Sequence, residues 1–287
     1  MRSAVVLPNF NGVAPGQTAS VSIPVGGVTY HKIALVYNCT NAGNGNQANT
    51  EAHLTEIRVL LNGKIQRRFS AKDLDSINAF YGRGFIANGT AGQLDIFFSE
   101  PWRRTVQSED VLAWGTADVG TFQIQVDIAA AATGPSLSAT AEVEYISRPN
   151  GVIAKWRKFN QVVSATGHNI NNNLPKIAGE AYQAIHCVPT ASTDITDVTV
   201  TVDNVIRFQL TEATANNLYT HYGNLTPQTA LFSIVFDRTL RVSDALAMSY
   251  TQNGKATGQV VQDFRVDFNM NAANSFNLYT LVLGVRD

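Results

Sequence analysis

Residues 54–70 read LTEIRVLLNGKIQRRFS, and residues 195–211 return as ITDVTVTVDNVIRFQLT, an offset of 141 positions. A chain that carries one unit twice is constrained to build two similar bodies, each able to bury that unit. At this offset Ile57, Val59 and Leu61 fall on Val198, Val200 and Val202, with Arg58 and Thr199 or Thr201 between them. Such alternation marks a strand with one buried face. Asn62-Gly63 and Asp203-Asn204 follow; both pairs tolerate positive φ and suit a two-residue hairpin turn. Ile65 and Ile206 then begin the return strands.

The correspondence continues into a helix. Ser70 and Thr211 are placed to accept hydrogen bonds from first-turn amides. Leu74, Ile77 and Tyr81 have the i, i+3, i+7 spacing of a short buried stripe, and Ala215, Leu218 and Tyr222 are its counterparts. Gly82 and Gly223 follow the tyrosines, where a helix commonly ends in a left-handed residue. Further on, LDIFFSEPWRR (94–104) resembles FSIVFDRTLR (232–241), and SEDVLAW (108–114) resembles VSDALAM (242–248). FQIQVDI (122–128) resembles DFRVDFN (263–269), and LSATAEVEYI (137–146) resembles FNLYTLVLGV (276–285). Upstream, IPVGGVTYHKIAL (23–35) resembles LPKIAGEAYQAIH (174–186). Only the first copy carries the Gly/Asn-rich insert NCTNAGNGNQANTEAH (38–53), which reads as a polar loop beside the helix 71–81 and outside the core.

Strand-like runs in the first copy lie near 17–25, 29–38, 54–61, 64–69, 92–99, 110–116, 120–129 and 137–146. Eight antiparallel strands, one helix and turn-rich links predict a jelly roll. The expected fold class is therefore all-β, two tandem eight-stranded antiparallel jelly rolls, each with one short helix. Arg148-Pro149-Asn150-Gly151 is a chain-breaking turn signal. It sets the expected domains at 1–148 and 149–287, with 147–160 as the link.

Hydrophobic residues make up 45% of the chain, enough for a sizeable core, while charged residues make up only 15%. The net charge of -1 gives no pull toward nucleic acid or an acidic membrane. Arg outnumbers Lys by 14 to 7. Protein interfaces are poor in Lys and Glu and rich in Arg, so this composition fits a surface that meets protein as much as water. Cys39 and Cys187 form no disulfide framework and suit a reducing compartment. The opening MRSAVVLPNF is too short in apolar residues for a signal peptide, and the sequons at Asn38, Asn88 and Asn224 read as chance.

No catalytic constellation stands out, and no catalytic, cofactor-binding or metal residue is assigned. Gly43-Asn44-Gly45-Asn46-Gln47-Ala48 has the form of a dinucleotide fingerprint but is expected to lead into a polar loop rather than a βαβ unit. His31, His53, His168, His186 and His221 are scattered. His221 reads as a helix C-terminal cation. Glu142 and Glu144 alternate on one strand face, an acid or calcium pair in one reading and a solvated or subunit-facing strip in the other. Asp194 and Asp197 could likewise touch a hard cation, so a structural calcium stays open although no cofactor is expected. Lys155-Trp156-Arg157-Lys158-Phe159 is the one basic aromatic cluster, suited to lipid head groups or nucleic acid in one reading and to packing in the other.

The duplication, the opening Met1-Arg2-Ser3, and the stretch Asp127-Ile128-Ala129-Ala130-Ala131-Ala132 with Gly134-Pro135-Ser136-Leu137-Ser138-Ala139 together resemble one family. It is the double jelly-roll major capsid proteins of membrane-containing icosahedral double-stranded DNA phages, corticovirus-type. The resemblance covers nearly the whole chain; the insert at 38–53 departs from it. It implies a structural coat subunit and no enzyme. It also implies a homotrimer that approximates a hexagon, neighbouring capsomers, minor vertex proteins and an internal viral membrane nearby. Direct nucleic-acid binding is not implied. The place implied is the virion capsid, after synthesis in the host cytoplasm. The competing class is a tandem β-sandwich glycan-binding module, for which Trp102, Trp114 and Trp156 would have to offer exposed ring faces. A two-domain carboxylate hydrolase is the third.

Overall fold

A computed structural model describes residues 1–222, 225–252 and 255–287. The chain divides into two units: Met1–Trp156 with Val285–Asp287, and Arg157–Gly284. In the first unit the strands are β1 (Ser3–Val6), β2 (Thr18–Ile23), β3 (Thr29–Asn38), β4 (Leu54–Leu61), β5 (Lys64–Phe69), β6 (Ala91–Phe97), β7 (Phe122–Ile128) and β8 (Ser136–Glu144). One sheet runs β1-β8-β3-β6 and the other β5-β4-β7-β2, which is jelly-roll order. The second jelly roll repeats it, beginning with a strand whose residues 153–156 fall in the first unit. Its strands are β9 (Ile153–Gln161), β10 (Gly167–Asn171), β11 (Ala181–Val188), β12 (Ile195–Val202), β13 (Val205–Thr211), β14 (Phe232–Val235), β15 (Phe264–Met270) and β16 (Phe276–Gly284). They run β9-β16-β11-β14 and β13-β12-β15-β10. Strands β7 and β15 each alternate buried and half-buried along their length, so each lobe has its own core.

The duplication survives in the irregularities. The β4–β5 register slips between Val59 and Leu60, and β12–β13 slips between Val200 and Thr201, at the same offset of 141. The β4–β7 slip at Leu54/Glu56 recurs in β12–β15 at Ile195/Asp197. A third bulge puts the extra residue His31 into β3 and Gln183 into β11. Bulges re-aim every side chain beyond them, so shared bulges mean shared faces. The predicted turns also match. Asn62, Gly63, Asp203 and Asn204 all have positive φ. Asn62 Oδ1 accepts from the amides of Gly120 and Thr121 at 2.8 and 3.1 Å, and Asp203 Oδ1 from those of Gln262 and Asp263 at 3.0 and 2.7 Å. Tyr30 donates to Pro24 O at 2.8 Å and packs edge-on against Phe122; Tyr182 donates to Pro175 O at 2.6 Å and packs edge-on against Phe264.

Several expectations need correction. Residues 110–116 are not one of the eight strands. Thr105 and Ser108 form a reciprocal capping box that starts helix α3 (Val106–Asp110), and only Trp114–Gly115 pairs with β3. The eighth strand is β1, four residues long, too short to show a period. The supposed link 147–160 contains most of β9. The first unit holds three helices instead of one: α1 (Gln47–His53), α2 (Ala71–Phe80) and α3. The second holds α4 (Glu212–Tyr222) and a 3-10 turn at Val242–Asp244. FQIQVDI corresponds to FRVDFNM, one residue later than the sequence match, because Leu61 faces Phe122 and Val202 faces Phe264.

Helix α2 starts at Ser70, whose side chain accepts from Asp73 N, and buries Leu74 and Ile77 with Tyr81 just past its end. Thr211 caps α4 by accepting from Thr214 N at 3.3 Å. On α4 the buried pair is Ala215 and Tyr219, at i, i+4, while Leu218 is half-buried. Gly223 and Asn224 lie outside the described residues, as does the side chain of Tyr222. At the offset of 141, Tyr219 replaces Asn78. Both reach the strand that follows in their own lobe: Asn78 Nδ2 donates to Asp95 O on β6 at 2.8 Å and Tyr219 Oη to Ser233 O on β14 at 2.6 Å.

The insert is no loose loop. It folds as α1, capped by Asn46, and lies against α2 as expected. It also buries Cys39, Thr50 and His53. Gly45 sits so close to β3 that a Cβ there would stand 2.2 Å from Tyr37 O. The fingerprint-like stretch thus opens a helix, but one between antiparallel strands.

Candidate functional site

The most deeply buried arginine of the first unit is Arg67, 2% exposed on β5. Its Nε donates to Ala154 O at 2.8 Å, and a terminal nitrogen donates to Phe97 O. The guanidinium lies 5.1 Å from the ring centres of Phe98 and Trp114 and 5.8 Å from that of Trp156. Burial pulls its pKa down to about 9, against the pull of Glu100. The planar cation is held by ring faces and two carbonyls, which makes it a packing anchor with no open side.

The singled-out carboxylates each face a protein group. Glu142 pairs with Lys32 at 3.1 Å, and Lys32 also pairs with Asp95 at 3.2 Å. Glu144 lies 3.5 Å from His31 Nε2, while Asp110 lies 3.4 Å from His31 Nδ1 and also pairs with Arg2. Burial, then Arg2, lowers the His31 pKa. A cavity of about 380 Å³ opens beside Lys32, Arg83, Asp95, Phe97 and Glu142. Asp194 accepts from Ala191 N at 2.9 Å and closes a turn, while Asp197 accepts from Asn269 Nδ2 at 2.8 Å and joins β12 to β15. Among the described residues, no group of three His, Cys, Asp or Glu side chains gathers as metal ligands would.

The basic aromatic cluster is satisfied from within. Lys155 pairs with Asp287 at 2.8 Å, and Trp156 packs edge-on against Phe69. Arg157 makes a fork to Glu180 at 2.6 and 2.7 Å, and Lys158 stands 5.8 Å over Tyr279. The tryptophans are equally enclosed, Trp102 at 8%, Trp114 at 0% and Trp156 at 6% exposed. None offers the ring face that the glycan-platform reading needs. Both cysteines are buried and free.

The histidines do not converge. His168 is exposed and pairs with Asp267 at 2.9 Å. His53 Nδ1 bonds Tyr37 Oη at 2.8 Å. His221 lies in the last turn of α4. His186 is fully buried with Nδ1 2.8 Å from Ser233 Oγ, and burial lowers its pKa from 6.5 to about 3. Below pH 6.5 the unfolded chain takes up a proton that the native lobe refuses. Stability from this residue is therefore complete above pH 6.5 and lost at roughly 1 kcal/mol per pH unit down to about pH 3. Thermal unfolding between pH 7 and 4 should show a slope that His186→Gln flattens; equal slopes would refute the assignment.

Among the exposed residues are scattered large apolar side chains. The hairpin tips expose Ile65 in one lobe and Val205 and Ile206 in the other, at corresponding places. Val6, Tyr145, Ile146 and Val162 are also exposed. The sequence could not mark these as surface, because the bulges decide which residues of β5 and β13 turn outward.

Comparison with known proteins fits this picture of two closed cores. Residues 5–144 match the viral coat protein P2 N-terminal domain and residues 153–285 the viral coat protein P2 C-terminal domain. The major capsid protein P2 of Pseudoalteromonas phage PM2 is 29% identical over 192 residues, a span of 65% of this chain and 65% of that protein. The crystal structure of P2 from bacteriophage PM2 superposes over 100% of this chain and 98% of that one, with a TM-score of 0.84 and 23% identity. The STIV major capsid protein does so over 99% and 97%, with a TM-score of 0.71 and 10% identity. The two structures establish the shared double jelly roll. Both halves match in order over most of the chain, so the coat-protein resemblance read from the sequence holds: the chain belongs to the viral coat protein P2 family.

Proposed function

We propose that this coat protein is the major subunit of an icosahedral shell, that it works as a homotrimer, and that it performs no catalysis. The observation that carries the reading is the strict repetition of the lobe within one chain, down to three shared bulges. A hexagonal tile needs six similar lobes, and three such chains supply them. Fusing lobes in pairs makes three of the contacts intramolecular and raises their effective concentration. It also frees the two lobes to diverge, so that neighbouring contacts in a shell need not be identical. The seam of the chain falls between lobes 1–148 and 149–287. Closure around a threefold axis requires the first lobe of one copy to meet the second lobe of the next. Exposed apolar residues on both lobes and the Arg-rich, charge-poor composition suit such contacts.

Neighbouring capsomers, minor vertex proteins and an internal membrane complete the proposed setting, a virion assembled after synthesis in the host cytoplasm. The net charge of -1 speaks against direct nucleic-acid binding. Light scattering with sedimentation tests the trimer. The mass should be three times 31.1 kDa and should persist at nanomolar concentration and high salt, since exposed ion pairs contribute little. A stable 31.1 kDa monomer would overturn the reading.

A further inference from the structure

The two lobes differ most at one place. In the first, 15 residues (Cys39–His53) join β3 to β4 and include α1; in the second, six residues (Pro189–Asp194) join β11 to β12. Both connections end alike: Ala129 N donates to His53 O at 2.8 Å and Asn271 N to Asp194 O at 2.7 Å. In the first lobe α1 fills the space bounded by α2, the start of β4 and the segment before β6. Its Gln47 Nε2 donates to Asp75 on α2 at 2.7 Å, and Gly45 N in its leading turn donates to Thr90 O at 2.8 Å. The second lobe leaves the corresponding space open. A cavity of about 640 Å³ lies there, lined among others by Thr193, Thr196, Glu212, Asn216, Gln228 and Asn271. At the offset of 141, Asn216 stands where Asp75 stands, and Thr196 where Thr55 stands.

We propose that this groove of the second lobe is a docking site for a short polar helix, about two turns long, presented by another protein chain and seated as α1 is seated in the first lobe. The groove mixes polar side chains with apolar surface from Ile195, Ala213 and Pro227, so it suits a partner that brings both hydrogen bonds and small apolar side chains. Its rim supplies a carboxamide at Asn216 where α1 meets a carboxylate, and a carboxyl at Glu212 one turn earlier. Burial raises the Glu212 pKa, so a second carboxylate beside it is disfavoured. The matching segment therefore has an amide side chain in its first turn, small residues such as Ala and Thr on its inner face, and no acid opposite Glu212. The inference stands apart from the trimer, because the groove lies wholly within one lobe.

Disulfide tethering tests it. Thr193 is exposed on the groove rim and both native cysteines are buried, so Thr193→Cys gives one reactive thiol. The probe is the acetylated segment 46–52 with Gln in place of Glu51 and a C-terminal cysteine amide, supplied as its mixed disulfide with 2-mercaptoethanol so that the protein thiol exchanges onto it and releases 2-mercaptoethanol. Its adduct is read by mass spectrometry against rising reductant. The adduct is expected to survive about tenfold more reductant than that of a probe with Pro in place of Asn49, since a seated helix raises effective concentration. Asn216→Arg and, separately, Gln228→Arg should each erase the difference while thermal unfolding shows a folded lobe. Equal retention of both probes would overturn the proposal. Stronger retention of a 1-thiosugar than of the helix probe would also overturn it and assign the groove to carbohydrate.

Discussion

Replacing Arg67 by Ala is expected to destabilise the first lobe by about 3–5 kcal/mol. Two losses add. The side chain fills a space walled by Phe98, Trp114 and Trp156, and truncation leaves a void among them. It also strips donors from the carbonyls of Ala154 and Phe97, each buried acceptor costing about 1–3 kcal/mol when left alone. Arg67→Met separates the two, because it keeps most of the volume and loses only the donors. Its cost should fall roughly 2 kcal/mol short of that of Ala, the value of the void. Arg67→Lys keeps the charge but not the planar fork that reaches both carbonyls while lying against the rings, so it should rank close to Met. Denaturant titration of the three variants measures the order. An Ala variant within about 1 kcal/mol of the parent would show that the cage closes without its cation.

Arg67 also shows why parts of this protein cannot be read from its sequence. On β5, written KIQRRF, a period-2 reading that starts from Ile65 turns Ile65 inward. The slip between Val59 and Leu60 leaves Gln66 as an extra residue, so that Ile65 turns outward while Arg67 and Phe69 stay inward. The same slip in the second lobe exposes Val205 and Ile206 and buries Phe208 at the place of Arg67. A bulge is a property of pairing between strands, and no local pattern carries it. Where faces alternate cleanly, as at Ile57, Val59 and Leu61, or where a cap and stripe coincide, as at Ser70, Leu74 and Ile77, the sequence was sufficient. The sequence match sets β15 one residue early, because Asp263-Phe264 and Phe122 leave the start of the strand open until its partner Val202 is known. Helix α1 was hidden by its surroundings. Gly43 and Gly45 signal a loop, yet Asn46 followed by Gln47-Ala48 and Glu51-Ala52 is a capped run of helix formers. The candidate sites were hardest to judge, since Glu142, Glu144, Asp194 and Asp197 reveal their roles only through partners far away in the chain.

Replacing Cys39–His53 by the six-residue connection of the second lobe should therefore cost the first lobe about 3–5 kcal/mol, contrary to what a Gly/Asn-rich insert suggests. Tyr37 is fully buried, and its hydroxyl would lose His53 Nδ1. Asp75, 3% exposed, would lose Gln47 and keep only the Phe85 amide as a described donor. Thr90 O would lose Gly45 N, and the apolar contacts under Cys39 and Thr50 would open to water. Each lost hydrogen bond at a buried group costs about 1 kcal/mol or more. Against them stands only the entropy of a shorter loop. Going from 15 residues to six recovers less than about 1 kcal/mol, so the losses win. Gly45→Ala is the finer probe, because a Cβ 2.2 Å from Tyr37 O must push α1 off β3 while leaving its sequence otherwise intact. Both variants should lower the unfolding temperature of the first lobe and leave that of the second in place, as followed by hydrogen exchange at β4 and β12. If the shortened chain unfolds within about 1 kcal/mol of the parent, α1 is a cover laid over a core that closes without it.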